Sequence, residues 1–141
     1  MEPSMPVFTI VSAAALTFCA LIGLGALFAP KWAQGVVRLV PDPSPDKPGG
    51  FSEFRATYGG LLFLLHTTAL VMLLQVGGII SILAIMPVAA GWLGAGFGRS
   101  LSYLLDNNEN RQPGLIPVWI PLEFALGLAI ASPVLQIGLN P

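Results

Sequence analysis

The chain has 141 residues, of which 55% are hydrophobic and 9% charged, with a net charge of −1 and a mean hydropathy of +0.79. A soluble domain carries roughly 25% charged residues, so this composition cannot supply a water-facing surface. It describes an integral membrane protein, and a chain with no excess positive charge has no means of holding a nucleic acid.

Residues Pro3 to Pro30 carry no charge. That run predicts a first transmembrane helix over about 7–28, stopped by Ala29-Pro30. A cleaved signal peptide would need a basic leading segment and a shorter apolar core, whereas "MEPSM" holds an acid and no base. The run is therefore read as a retained helix. "KWAQGVVRLV" follows, with Lys31 and Arg38 on one side and Trp32, Val36, Val37 and Val40 on the other. It predicts a short helix lying in the membrane interface. "PDPSPDKPGG" is a stiff, extended turn.

Ala56 to Gly98 form an uncharged run of 43 residues. As one helix it would measure about 64 Å, twice the ~30 Å bilayer core. It must fold back, and "QVGG" at Gln75–Gly78 is the natural hairpin. The prediction is a second helix near 53–74 and a third near 79–105, with a kink at Pro87. "DNNENRQPG" ends the third helix. A fourth is expected over about 117–137, because proline is tolerated in a first turn. The expected fold is all-α, one membrane domain over 1–141: a four-transmembrane-helix bundle with a short interfacial helix between the first two spans.

That plan places Lys31, Arg38, Lys47 and Arg111 on one face and no basic residue on the other. Positive loops mark the cytoplasm, so both termini are expected outside, in the periplasm. The single cysteine, Cys19, lies in the first apolar run and can form neither an internal disulfide nor a thiolate metal site.

The charges inside or at the lip of the apolar segments are the candidate site. Glu53 and Arg55 open the long uncharged run, about 200° apart around an α-helix, so they cannot neutralise each other. Arg99 lies about six residues, ~9 Å, inside the end of the third helix, and Glu123 sits at a similar depth in the fourth. All four fall near one leaflet. An unpaired charge at a helix centre costs at least ~2.5–3.5 kcal/mol, so pairing is expected. Arg99 with Glu123 is the expected pair, and Glu53 and Arg55 are expected to close the network. Arg99, Ser102, Tyr103 and Asp106 share a stripe of the third helix, and Tyr58, Tyr103, Trp32 and Trp119 lie at the level of an aromatic belt.

His66 is the lone histidine. It could contact a haem or pigment, but one histidine cannot supply two axial ligands, and a hydrogen bond to a neighbouring helix is the plainer role. "GWLGAGFG" places Gly91, Gly94 and Gly98 in the third helix, with Gly94–Gly98 at GxxxG spacing. Gly127 lies between Glu123 and Ala131 at four-residue intervals. Small residues let helices approach closely, within the bundle or against another subunit.

"EFRATYGG" at Glu53–Gly60, "GRSLSYLLD" at Gly98–Asp106 and Glu123 resemble a family of small bacterial four-helix membrane proteins of unknown function. The likeness covers most of the chain, and its first motif is the most specific part. The four-span plan is also similar, more loosely, to the DoxX-like membrane proteins. The chain departs from the pattern at Asn107, where a glycine is expected, and in its longer proline-rich loop. The resemblance implies a bacterial inner-membrane location and supplies no catalytic residues.

The sequence contains no nucleophile–His–acid set, no HExxH and no phosphate-cradling glycine loop before a basic residue. The leading functional reading is a non-catalytic accessory subunit beside a larger membrane complex, respiratory, photosynthetic or transporting. Its expected partners are membrane lipids and other integral membrane subunits. The alternative is a small-solute, lipid or quinone binder or carrier that uses the Glu/Arg cluster. Neither reading requires a cofactor or a metal, though both leave room for lipid, quinone or pigment contact.

Overall fold

The computed structural model describes residues 6–39, 50–106 and 116–139. The proline-rich turn with Lys47, and the polar loop with Asn107 and Arg111, lie outside the described residues. The elements of the described segments are all helices, in order α1 (Val7–Phe28), α2 (Pro30–Val37), a π-helix (Phe54–Leu61) continuing into α3 (Leu62–Gln75), α4 (Gly78–Leu105), α5 (Ile116–Ala131) and α6 (Val134–Leu139). Its contacts cluster into two compact units, one of residues 1–15 and 71–141, the other of residues 16–70.

Three helices are long and apolar enough to cross a membrane: Val7–Phe28, Phe54–Gln75 and Gly78–Leu105. This is a small polytopic membrane protein of helical type. The expected four-transmembrane-helix bundle needs correction, because the fourth apolar segment is not one helix. It divides into α5, of 16 residues, and α6, of 6. At 1.5 Å per residue α5 spans about 24 Å, short of the ~30 Å core.

Pro133 explains the division. It has no N–H to give the carbonyl four residues back, and it disfavours the helical conformation at Ser132. The carbonyls this exposes are satisfied by hydroxyls instead. Ser132 Oγ, with one hydrogen to give, donates to Ala129 O at 2.8 Å and shares that hydrogen with Phe8 O of α1 at 3.0 Å. Ser12 Oγ, fully buried, donates to Ile130 O at 2.8 Å. In a bilayer such substitution is what makes a helix break tolerable.

In the first unit α5 runs antiparallel along α4. A Cβ built on Gly127 would lie 2.6 Å from Leu93 Cγ and 3.0 Å from the Ala89 carbonyl oxygen, and one on Gly96 would lie 3.1 Å from the Phe124 ring. Ile85, Val88, Ala89, Leu126 and Ile130 are buried in this unit. Lipid tails are as apolar as these side chains, so close packing and not water exclusion holds such helices together. The reversal between α3 and α4 falls at Val76-Gly77, with Gly77 and Gly78 at φ 69° and 59°. Side-chain-bearing residues rarely adopt that backbone, which is why the hairpin needs the glycine pair.

In the second unit α2 starts with Pro30 at its first position and ends at Arg38 in the left-handed conformation. It packs on the π-helix, where Ala26, Ala33 and Phe54 are buried with Val37, Phe51 and Tyr58 against them. A Cβ on Gly59 would lie 2.7 Å from Leu27 Cα, and one on Gly23 would lie 2.5 Å from Phe63 N. Those glycines set the α1–α3 separation. The expected second helix over 53–74 is thus present with a changed pitch: its first eight residues, Phe54–Leu61, form π-type turns. Their hydrogen bonds close over five residues, so the angle between Glu53 and Arg55 worked out at α-helical spacing does not apply.

Candidate functional site

Arg99 reaches Glu123 from α4 to α5, its Nε donating to Glu123 Oε1 at 2.6 Å. Arg99 lies about one turn beyond Gly96 on α4 and Glu123 one residue before Phe124 on α5, so the pair adjoins the Gly96–Phe124 contact. The two partners differ sharply in exposure. The Glu123 side chain is 4% exposed and that of Arg99 38%, so the carboxylate lies inside the unit while the guanidinium reaches its surface.

The pairing is incomplete on both sides. Glu123 Oε2 is buried with no hydrogen-bond partner among the described residues. Among the described residues Arg99 engages Glu123 by one hydrogen bond, through Nε, so the four N–H donors of its two Nη groups are not used on the carboxylate. A bridge built for stability joins the two planar groups by two parallel hydrogen bonds and satisfies the remaining lone pairs. Here one oxygen is held, one is stranded, and the Nη groups of the arginine make no hydrogen bond among the described residues.

No family model, characterised protein or solved structure matches this chain. Function has to be read from the residues themselves.

Around the pair, Ser100 Oγ donates to Gly96 O at 2.7 Å. Ser102 Oγ donates to Asp106 Oδ2 at 2.6 Å, tying the last turn of α4 to the residue that ends it. Tyr103 is exposed on the same turn. Of the stripe expected on this helix, Ser102 and Asp106 are joined directly. Tyr58 belongs to the second unit, its ring 5.7 Å from that of Phe54, centroid to centroid. Glu53 and Arg55 are also in that unit, both exposed at the head of the π-helix.

His66 is 1% exposed and in hydrogen-bond contact with Leu62 O through Nδ1, at 2.7 Å. Since a carbonyl can only accept, Nδ1 carries the proton. Among the described residues no three His, Cys, Asp or Glu side chains gather to hold a metal ion.

Of the glycines expected to pack, Gly127 meets α4 closely. A Cβ on Gly91, Gly94 or Gly98 would find nothing within 4 Å, and all three are exposed. The close contacts fall instead to Gly23, Gly59 and Gly96. The seryl hydroxyls Ser12 and Ser132 were not anticipated. Their signal is the proline at 133, which strands carbonyls one turn earlier.

Proposed function

We propose that this chain is a non-catalytic membrane protein that binds a small, oxygen-bearing molecule at the Arg99–Glu123 pair. The observation that carries the reading is the half-made bridge: Glu123 Oε2 buried without a partner while Arg99 keeps both Nη groups open. Burying a carboxylate is costly, and an incompletely satisfied one stabilises a fold poorly. An open guanidinium edge near the end of a membrane helix suits an oxygen acceptor, either the phosphate of a lipid headgroup or the carbonyl of a quinone. Glu123 fixes the guanidinium from below, and Arg99 presents it to the ligand.

This reading takes the chain to lie in a bacterial inner membrane, with the basic residues Lys31 and Arg38 toward the cytoplasm. The test is equilibrium binding to the full chain in nanodiscs, using dioctanoyl phosphatidic acid and decylubiquinone as separate probes. One of the two binds saturably, and Arg99→Leu with Glu123→Leu abolishes that binding while the protein still folds. Binding unchanged in the folded double variant overturns the reading.

A second reading, an accessory subunit, is supported by the open glycine face of α4 at Gly91, Gly94 and Gly98. It requires stoichiometric co-purification with a larger membrane subunit in mild detergent. Purification from native membranes as a free chain removes it.

A further inference from the structure

The end of the first unit away from Arg99 holds a cavity of ≈ 590 Å³, bounded by the start of α1, the Gly77–Gly78 turn and the α5–α6 break. That volume falls within the roughly 300–1,000 Å³ typical of small-molecule sites. Leu73, Ile79 and Ile82 give it an apolar wall, and Thr9, Ser81 and Gln136 give it a polar edge. None of its described lining residues is ionisable.

The polar edge has unused valences. Gln136 Nε2 donates to Thr9 Oγ1 at 3.2 Å, a long bond that occupies one donor of the amide and one lone pair of the hydroxyl. This leaves the Thr9 hydroxyl hydrogen and the Gln136 Oε1 acceptor side by side. Ser81 spends its own hydroxyl on Gly78 O, at 2.8 Å, and so holds the turn.

We propose that this cavity is a second binding site, for an uncharged amphiphile headed by a hydroxyl group. A hydroxyl accepts from Thr9 and donates to Gln136 Oε1, satisfying both with one oxygen. A quinone carbonyl accepts only and leaves Oε1 without a donor. A carboxylate or a quaternary ammonium finds no side chain of opposite charge among the described lining residues. The alkyl part of the ligand lies on the aliphatic wall. This site does not depend on the Arg99–Glu123 reading, because it uses other residues and the opposite chemistry.

The experiment is photolabelling of the full chain in nanodiscs with a ten-carbon primary alcohol bearing a mid-chain diazirine. Matched probes end in a carboxylate or a trimethylammonium, and peptide mass spectrometry maps the adducts. The alcohol should label peptides spanning Leu73–Ile82 and Pro133–Gln136 at least tenfold more strongly than either charged probe. Unlabelled 1-decanol and monodecanoylglycerol should compete, and decylubiquinone should not. Thr9→Val and Gln136→Leu should each lower labelling about tenfold. Ile82→Trp should abolish it by filling the space while leaving the polar pair intact, and Leu83→Ala on the exposed face of α4 should leave it unchanged. A competing series of alcohols distinguishes the source: potency that climbs with chain length marks a membrane lipid alcohol, and full potency at six carbons marks a water-soluble one. Equal labelling by the charged probes on the unmodified chain, or adducts spread along α4 without preference for the cavity peptides, overturns the proposal.

Discussion

Glu123 shows how much one side-chain atom can decide. Its Oε1 takes the Arg99 Nε–H at 2.6 Å, and its Oε2 is enclosed with nothing to receive. The partners should therefore respond unequally to removal. Arg99→Leu leaves a carboxylate 3% exposed as a residue and wholly unpaired, which by the usual cost of breaking a buried pair destabilises by about 3 kcal/mol. Glu123→Leu leaves a guanidinium that can extend to the headgroups on its aliphatic stem, at about 1 kcal/mol. The double variant should be more stable than Arg99→Leu alone. Thermal midpoints in detergent measure all three, and equal losses for the two single variants would contradict the burial asymmetry. The pair itself was legible in the sequence, since Arg99 and Glu123 are charges at matching depth in apolar helices. The stranded oxygen was not, because it depends on the rotamers with which the two planar groups meet. The same holds for His66, whose position was readable but whose bond to Leu62 O was not.

Helix faces raise a different question, since α1, α3, α4 and α5 are apolar nearly all round. Periodicity cannot mark the inward side of such helices, and this is why the GxxxG spacing at Gly94 and Gly98 pointed to a face that meets nothing. Coordinates rank the glycines clearly. At Gly23 and Gly59 a Cβ would collide with backbone atoms of the facing helix, whereas at Gly127 the nearest obstacle is the Leu93 side chain. Backbone cannot rotate away, so Gly23→Ala and Gly59→Ala should each cost about 3 kcal/mol, at the top of the range for overpacking, and Gly127→Ala about 1 kcal/mol. Gly91→Ala, Gly94→Ala and Gly98→Ala should be neutral or stabilising by up to ~1 kcal/mol through helix propensity. Unfolding midpoints of the six variants test the ranking, and a loss at Gly94 or Gly98 matching that at Gly59 would disprove it. The α5–α6 break was half legible: Pro133 was visible, but the hydroxyls that make a break affordable come from Ser12, far away in sequence, and from Ser132. Ser12→Ala should therefore cost about 1–2 kcal/mol by leaving the buried Ile130 carbonyl unsatisfied. In a Pro133→Ala background the helix can run on and re-engage its own carbonyls, so the same change should cost little. Additive losses in that double-mutant cycle would show that proline is not the cause.

Across the whole chain, the count of long helices sets which segments share a side of the membrane. Long uncharged runs announced α1, α3 and α4 in the sequence, and the glycine pair announced the hairpin between the last two. The fourth segment escaped the same logic, because composition over 117–137 is apolar enough while its backbone is interrupted at Pro133. The proposed orientation rests on the basic residues beside the long helices. On the proposed orientation, with the basic loops at the cytoplasm, the Val76-Gly77 turn is expected to face outward. The protein is suited to a direct check, as its lone cysteine, Cys19, is free but only 1% exposed and gives little background to a thiol reagent. Single cysteines at Val76, Lys31 and Asp106, all exposed positions, would be treated with a membrane-impermeant maleimide on intact bacterial cells. Val76→Cys should react at once, and Lys31→Cys and Asp106→Cys only after the membrane is opened. The reverse pattern would invert the orientation and carry the open Arg99 edge to the outer leaflet. Val76→Cys and Lys31→Cys reacting from one side would mean that α3 does not cross, and the helix count itself would fall.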